Sequence, residues 1–272
     1  MPGALLLAVI NSLASAQVVD SSGRDPGVRD SARAESLARR EAKQVLDHAH
    51  VVRWYEAAAV LGGVVLLSTL DEPVQRTTQR HRSETLGDVA AVFRQQGEPE
   101  YYATVSLGVL GAGVVANDAG LRRAGGRLVA AVLLSAIASE GTKRLVGRSR
   151  PNERVGAFSF HPFTSLQDSA GVETRGSLPS GHTVAAFAVA TSLADDIDSP
   201  VVDVLLYTVA AGAAWSRIYD NRHWLSDTAL GAALGYSTAK VVNGQWRIFG
   251  LRPPTFLVAP SGAPAVGWSL PI

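Results

Sequence analysis

Six stretches dominated by Ala, Leu, Val and Gly recur along the chain, near residues 54–70, 101–117, 127–143, 182–195, 200–216 and 226–243. Few turn residues interrupt them, and this composition predicts helix rather than strand for all six. Their uninterrupted apolar runs fall short of the ~20 residues that a membrane-spanning helix needs. Glu56, Glu140 and Asp203 also sit in or beside them. Two architectures are therefore open: six spans with partly polar ends, or a soluble helical bundle around an apolar core.

Charge placement between the segments does not choose between them. Arg122, Arg123 and Arg127 lie between the second and third segments, which would put that loop in the cytoplasm and the next one in the periplasm. At the N-terminus, the apolar residues 4–10 followed by Ala14-Ser15-Ala16 predict a signal peptide over residues 1–16, although no basic residue follows Met1. A frayed apolar tail is the plainer alternative. A cleaved signal before six spans would reverse the orientation. Either the signal stays, one segment does not span, or the domain is soluble.

The remaining organisation follows from composition shifts. Residues 17–50 are polar and rich in Arg, Asp and Ala, and predict an unstructured lead with a surface helix near 31–49. His48 and His50, two apart, do not share a helix face and read as surface residues. Residues 51–247 form the helical domain. In the tail, 248–272, Thr255–Val258 and Ala265–Trp268 flank a Pro-Ser-Gly turn, which fits either a small hairpin or an extended tail.

The chain has 272 residues, of which 47% are hydrophobic and 18% charged, a low charge share for a soluble protein. Its net charge of +1 and the absence of long basic runs give no sign of nucleic-acid binding. With no cysteine, thiol nucleophiles, zinc–cysteine sites and disulfides are excluded. Arginine outnumbers lysine 22 to 3, so a lysine kept here (Lys43, Lys143 or Lys240) stands out.

Three constellations carry chemistry. In the first, Lys143 precedes Arg150-Pro151 by seven residues. A continuing helix would point Lys143 and Arg150 to the same side. Pro151 disfavours helical geometry at Arg150 and puts it on the loop at the helix end. Two fixed cations suit a phosphate. A basic juxtamembrane cluster that includes Arg144 and Arg148 would look the same.

The second is Pro179-Ser180-Gly181-His182, just before an apolar helix. Ser180 can cap that helix, Gly181 lets a ligand approach the backbone, and the free N–H groups make an anion site. His182 is placed to donate a proton to a leaving oxygen. Read alone, the segment is an ordinary turn with a surface histidine.

In the third, Ser216-Arg217 precedes His223, and Asp227 follows four residues later. That spacing makes His223 and Asp227 neighbours on a helix face, where a carboxylate can fix the imidazole tautomer. A structural hydrogen bond would use the same spacing. Together the three supply three cations, a helix-start anion site, two histidines and a carboxylate, as phosphoryl transfer through histidine requires.

These segments resemble the signature of the type 2 phosphatidic acid phosphatase and vanadium haloperoxidase superfamily. The pattern is Lys, six residues, Arg-Pro; Pro-Ser-Gly-His; and Ser-Arg, five residues, His, three residues, Asp. Every fixed position is matched, across about residues 100–243. The resemblance implies an all-α fold, a six-helix bundle with the site at one end where the motif-bearing loops converge. It implies that Lys143, Arg150 and Arg217 hold phosphate oxygens, with Ser180 and the Gly181 N–H completing the cradle. His223 would attack phosphorus, Asp227 would orient it, and His182 would protonate the leaving group and later activate water. No metal or other cofactor is expected, and the sequence has no carboxylate cluster of the two-metal kind.

The expected activity is a metal-independent phosphatase of the cell envelope. It would act on a lipid phosphate or pyrophosphate, at a membrane with the site facing the periplasm. The main alternative keeps the chemistry in a soluble periplasmic acid phosphatase for small phosphate esters. A vanadate-dependent haloperoxidase and a non-catalytic binder of phosphorylated lipids are further alternatives. His161 reads as a loop residue, Arg222 and Trp224 as substrate or packing contacts, and loop 152–178 as the substrate-recognising rim.

Overall fold

The computed structural model describes residues 49–248, together with the backbone of 255–258 and 264–267. The expected signal peptide and the polar segment with its surface helix lie outside the described residues. Eight α-helices are present among those described: α1 (Trp54–Ser68), α2 (Asp71–Arg80), α3 (Glu84–Gln96), α4 (Pro99–Val115), α5 (Ala119–Val146), α6 (Gly181–Ile197), α7 (Pro200–Tyr219) and α8 (Leu225–Val242). Strand β1 (His50–Val52) pairs in parallel with β2 (Trp246–Ile248), and β3 (Thr255–Val258) pairs antiparallel with β4 (Pro264–Gly267). The pairing of β3 with β4 is the hairpin rather than the extended tail.

All six apolar segments are helices, here α1, α4, α5, α6, α7 and α8. The sequence reading missed α2 and α3. Helix α2 is polar, and both helices are tied by hydrogen bonds to the turn before His223, while α3 also buries Ala90 and packs Phe93 against Gly212 and Trp215 of α7. Gln75 Nε2 donates to Asn221 Oδ1 at 2.8 Å, and Gln79 Nε2 donates to the Tyr219 carbonyl at 3.1 Å. Tyr219 donates its hydroxyl to the Ser83 carbonyl at 2.8 Å, and Arg94 pairs with Asp220 at 2.9 Å.

The core is built from small residues. Leu128 and Val132 of α5 meet Ala185, Ala186, Val189 and Ala190 of α6 and Ala210 and Ala213 of α7. Helices α6 and α8 approach closely because α8 offers Gly231 and Gly235 where they cross. A Cβ on Gly231 would lie 2.9 Å from the Ser180 carbonyl oxygen, and one on Gly235 would collide with the Val184 carbonyl. This close approach brings the second motif, at the start of α6, against the third, at the start of α8.

Helix α5 ends where the first motif needs it to. Gly147 takes a left-handed conformation with φ 59°, and its N–H bonds to the Lys143 carbonyl at 2.7 Å. Such a C-cap favours glycine, and here a Cβ would also collide with the His161 carbonyl. The chain then turns, so Arg150 lies in extended conformation on the loop, as the proline rule predicts.

Helices α5 and α7 are long and apolar enough to cross a membrane, and a third span results if α1 and α2, bent by 49°, count as one. The other helices do not pass the same test among the described residues. Large apolar side chains nevertheless face outward on several helices, including Val65 and Leu66 on α1, Ile137 on α5, and Val201 and Val204 on α7. Helix α1 buries none of its residues.

In an exposed helix, replacing Gly by Ala stabilises by about 1 kcal/mol. At Gly235 the sign should invert. Gly235→Ala is expected to lose about 1–3 kcal/mol through overpacking against α6, read as a lower melting temperature in thermal unfolding. An unchanged or raised melting temperature would show that α6 and α8 are not in tight contact there.

Candidate active site

Residues of all three motifs gather at one end of the bundle. His223 follows the turn after α7 and is 3% exposed. Its Nδ1 lies 2.7 Å from the Ser177 carbonyl oxygen. A carbonyl only accepts, so Nδ1 carries the hydrogen and Nε2 keeps its lone pair. Burial, then the charges of Arg150 and Arg217, hold the imidazole well below its ordinary pKa, so it is neutral at neutral pH.

Asp227 is placed differently from the simple expectation. Its Oδ2 is 3.8 Å from His223 Nδ1, beyond hydrogen-bond reach. That oxygen instead accepts from Ser177 Oγ at 2.5 Å and from the Trp224 N–H at 2.9 Å. Asp227 thus fixes the segment whose carbonyl holds His223, and it caps the first turn of α8. Burial pushes its pKa up to about 6 against the lowering influence of Arg148, so it is ionised at neutral pH.

Arg148, read from sequence only as part of a basic cluster, is the buried partner of Asp227. It is 2% exposed and bonds Asp227 Oδ1 at 2.6 Å and Asp71 Oδ2 at 2.7 Å. It also donates to Ser226 Oγ at 2.7 Å and, through Nε, to the Ala157 carbonyl at 2.9 Å. Asp71, at the start of α2, accepts in addition from the Ser226 N–H at 2.8 Å and the Ser226 hydroxyl at 2.6 Å. Sequence reasoning missed Asp71, Ser177 and Ser226. The partners of their side chains lie 50 to 155 residues away in the chain, so no local spacing signals them.

The cations converge as expected. Lys143 in the last turn of α5 and Arg150 on the following loop both reach Glu173 Oε1, at 3.5 and 3.0 Å. Arg217, 7% exposed, pairs loosely with Asp220 at 3.6 Å. The Nε atoms of Arg150 and Arg217 are buried without a hydrogen-bond partner. Unpaired buried donors are costly, and such donors beside one another suit an anion.

The second motif departs from expectation in one detail. Ser180 is the N-cap residue of α6 but its side chain caps nothing. Thr183 Oγ1 donates to Ser180 Oγ at 3.0 Å, and the Ser180 N–H bonds the Asp227 carbonyl at 3.1 Å. The hydroxyl of Thr183 thus takes the position a capped N–H would hold. The first turn of α6 is left with no side-chain cap, and Gly181 sits beside the Lys143 ammonium. His182 Nε2 is 3.3 Å from Glu98 Oε2. Burial, followed by the charge of Arg217, lowers the His182 pKa to about 4 despite Glu98.

The other candidates fall into place. Trp224 is packing: it is buried and donates Nε1–H to the Ser149 carbonyl at 3.0 Å. Arg222 is exposed. His161 meets Ser159 Oγ at 3.1 Å, and its carbonyl lies over Gly147.

Residues 124–249, which hold all three motifs, match the family model of the PAP2 superfamily. The match falls on the same stretch of chain as the motifs from which the resemblance was drawn. A lipid A 1-phosphatase of Porphyromonas gingivalis is 47% identical over 72 residues, covering 26% of this chain and 16% of that protein's length. Among solved structures, LpxE of Aquifex aeolicus is similar at 19% identity and a TM-score of 0.48, covering 64% of this chain and 94% of that one. A transmembrane PAP2-type phosphatidylglycerolphosphate phosphatase of Bacillus subtilis is similar at 18% identity and a TM-score of 0.46, covering 70% and 95%.

Removing one partner of a buried ion pair leaves the others uncompensated. Arg148→Met should therefore cost about 3–5 kcal/mol, measured by denaturant unfolding. A loss below about 1 kcal/mol, the scale of an exposed pair, would show that Asp71 and Asp227 do not depend on it.

Proposed function

We propose that this protein is a phosphatase that cleaves a lipid phosphate monoester through a phosphohistidine on His223, without a metal. The observation that carries the reading is the pairing of His223 Nδ1–H with the Ser177 carbonyl at 2.7 Å, which leaves Nε2 unprotonated on a ring that feels the charges of Arg150 and Arg217, whose Nε donors are unpartnered. In this reading Nε2 attacks phosphorus while Lys143, Arg150, Arg217, Ser180 and the Gly181 N–H hold its oxygens. The P–O bond to the lipid breaks, and the leaving oxygen takes a proton from His182. Water then attacks the phosphohistidine, with His182 accepting its proton, and inorganic phosphate is released. Stabilisation of the charge on the transferring group supplies most of the catalysis.

The substrate class rests on a different set of facts. Two helices are long and apolar enough to span a bilayer, and apolar side chains face outward around the bundle. A patch of that kind fits a lipid environment, and the relative with 47% identity is by name a lipid A phosphatase. A lipid phosphate at the cell envelope fits these facts better than a small soluble ester.

His182 sets the pH dependence. In the free protein its pKa is near 4, because burial and Arg217 disfavour the cation. The protonated fraction needed for the acid role therefore falls as pH rises above that value. A bound phosphate dianion offsets Arg217 and raises the His182 pKa. The alkaline limb of kcat should thus lie at higher pH than that of kcat/KM. Coincident limbs would count against the acid role.

The deciding assay is phosphate release from long-chain phosphatidic acid and from a small aryl phosphate, with chelator and with vanadate. Wild type should resist chelator, yield to vanadate and prefer the lipid, and His223→Ala should be inactive. His182→Ala should slow the lipid more than the aryl ester, whose leaving group needs no proton. Full activity in His223→Ala would refute the phosphohistidine.

A further inference from the structure

Glu173 brings a negative charge into the cation cluster from the loop between the first two motifs. Its Oε1 is 3.0 Å from Arg150 Nη2 and 3.5 Å from Lys143 Nζ, and it is buried without a well-formed hydrogen bond. The carboxylate lies over Gly176, at which any Cβ would collide with it. Burial opposes its ionisation, but Arg150 and Lys143 outweigh burial and hold it below the usual carboxylate range. The side chain as a whole is still 37% exposed. It also borders a polar cavity of about 430 Å³ lined by Glu140, Arg144, Thr164, Ser165 and Gln167.

We propose that Glu173 is a built-in competitor for the phosphate cradle: its carboxylate occupies Lys143 and Arg150 in the free protein and swings into the neighbouring polar cavity when a phosphate enters. The inference rests on the phosphate reading of that cradle. A carboxylate and a phosphate oxygen ask for the same charge-assisted donors, and two anions on one pair of cations repel. Glu140, on the cavity wall, bonds Lys143 at 3.0 Å and shares Lys143 with Glu173, while Arg144 pairs with Glu140 only loosely, at 3.9 Å, so Arg144 can receive the displaced carboxylate. The competitor has two effects. It compensates buried cations while the site is empty, where uncompensated charge is costly. It also weakens the hold on inorganic phosphate, which has no lipid contacts to offset the displacement, and so favours product release.

The test is calorimetric titration of the full chain with inorganic phosphate, comparing wild type, Glu173→Gln, Gly176→Ala and Arg217→Ala. Glu173→Gln should bind phosphate at least about tenfold tighter than wild type, the scale of one lost charge-assisted contact. Gly176→Ala should move in the same direction, because its methyl group expels the carboxylate while leaving its charge in the protein. Arg217→Ala should bind more weakly than wild type. Phosphate binding in Glu173→Gln that is equal to or weaker than in wild type would overturn the competitor and leave the cradle standing. No binding by wild type or Glu173→Gln would overturn both.

Discussion

The site depends on one guanidinium held between two carboxylates. Arg148, with almost no exposure, joins Asp71 at the start of α2 to Asp227 in the first turn of α8. Burying three charges is expensive, and their mutual attraction offsets the cost only when the remaining polar atoms are bonded too. Here they are: Ser177, Ser226 and the Trp224 and Ser226 N–H groups surround the carboxylates. Helix α2, the α5–α6 loop and α8 are thereby held together at the end of the bundle that carries the motifs.

Around that knot the polar side chains divide between fixed and open valences. Asp227, Ser177, Ser226 and Asp71 are fully bonded to one another and to the backbone. Arg150 and Arg217 each keep a buried Nε without a partner, and His182 Nε2 meets only the Glu98 carboxylate, at 3.3 Å and without a well-formed hydrogen bond. The bonded set gives rigidity, and the open set gives a place where a ligand completes the hydrogen bonding. Preorganised donors of this kind cost little reorganisation when charge develops beside them.

How much of this was legible in the sequence depends on the range of each interaction. The six apolar helices were, because composition over a dozen residues declares them. So were Lys143, Arg150, Ser180, Gly181, His182, Arg217, His223 and Asp227, whose motif spacings are local, and the structure gathers all eight. Helix α2 was not, since its side chains bond a distant turn at residues 218–221 rather than forming an apolar stripe, and α3 was not because its apolar residues Leu86, Val89, Ala90 and Phe93 share one face but are interrupted by polar ones, with no long apolar run to declare them. Asp71 carries no signal beyond being an acid at a helix start. Arg148 was visible only as one of several arginines near Lys143, and nothing local distinguished the buried one. The direct partner of His223 was illegible for another reason: it is a main-chain carbonyl, which any residue type supplies.

That last contact has a consequence of its own. A peptide carbonyl has no accessible protonation state and cannot be removed by substitution. The tautomer of His223 is therefore set by chain path rather than by side-chain chemistry. Acid that neutralised Asp227 would loosen the segment without supplying a competing proton donor to Nδ1. Mutation at position 177 can change the hydroxyl that anchors the segment, yet it leaves the acceptor in place. Orientation of the ring and stabilisation of its charge, joined in one group where a carboxylate bonds the imidazole directly, are carried here by two separate atoms with separate tolerances to change.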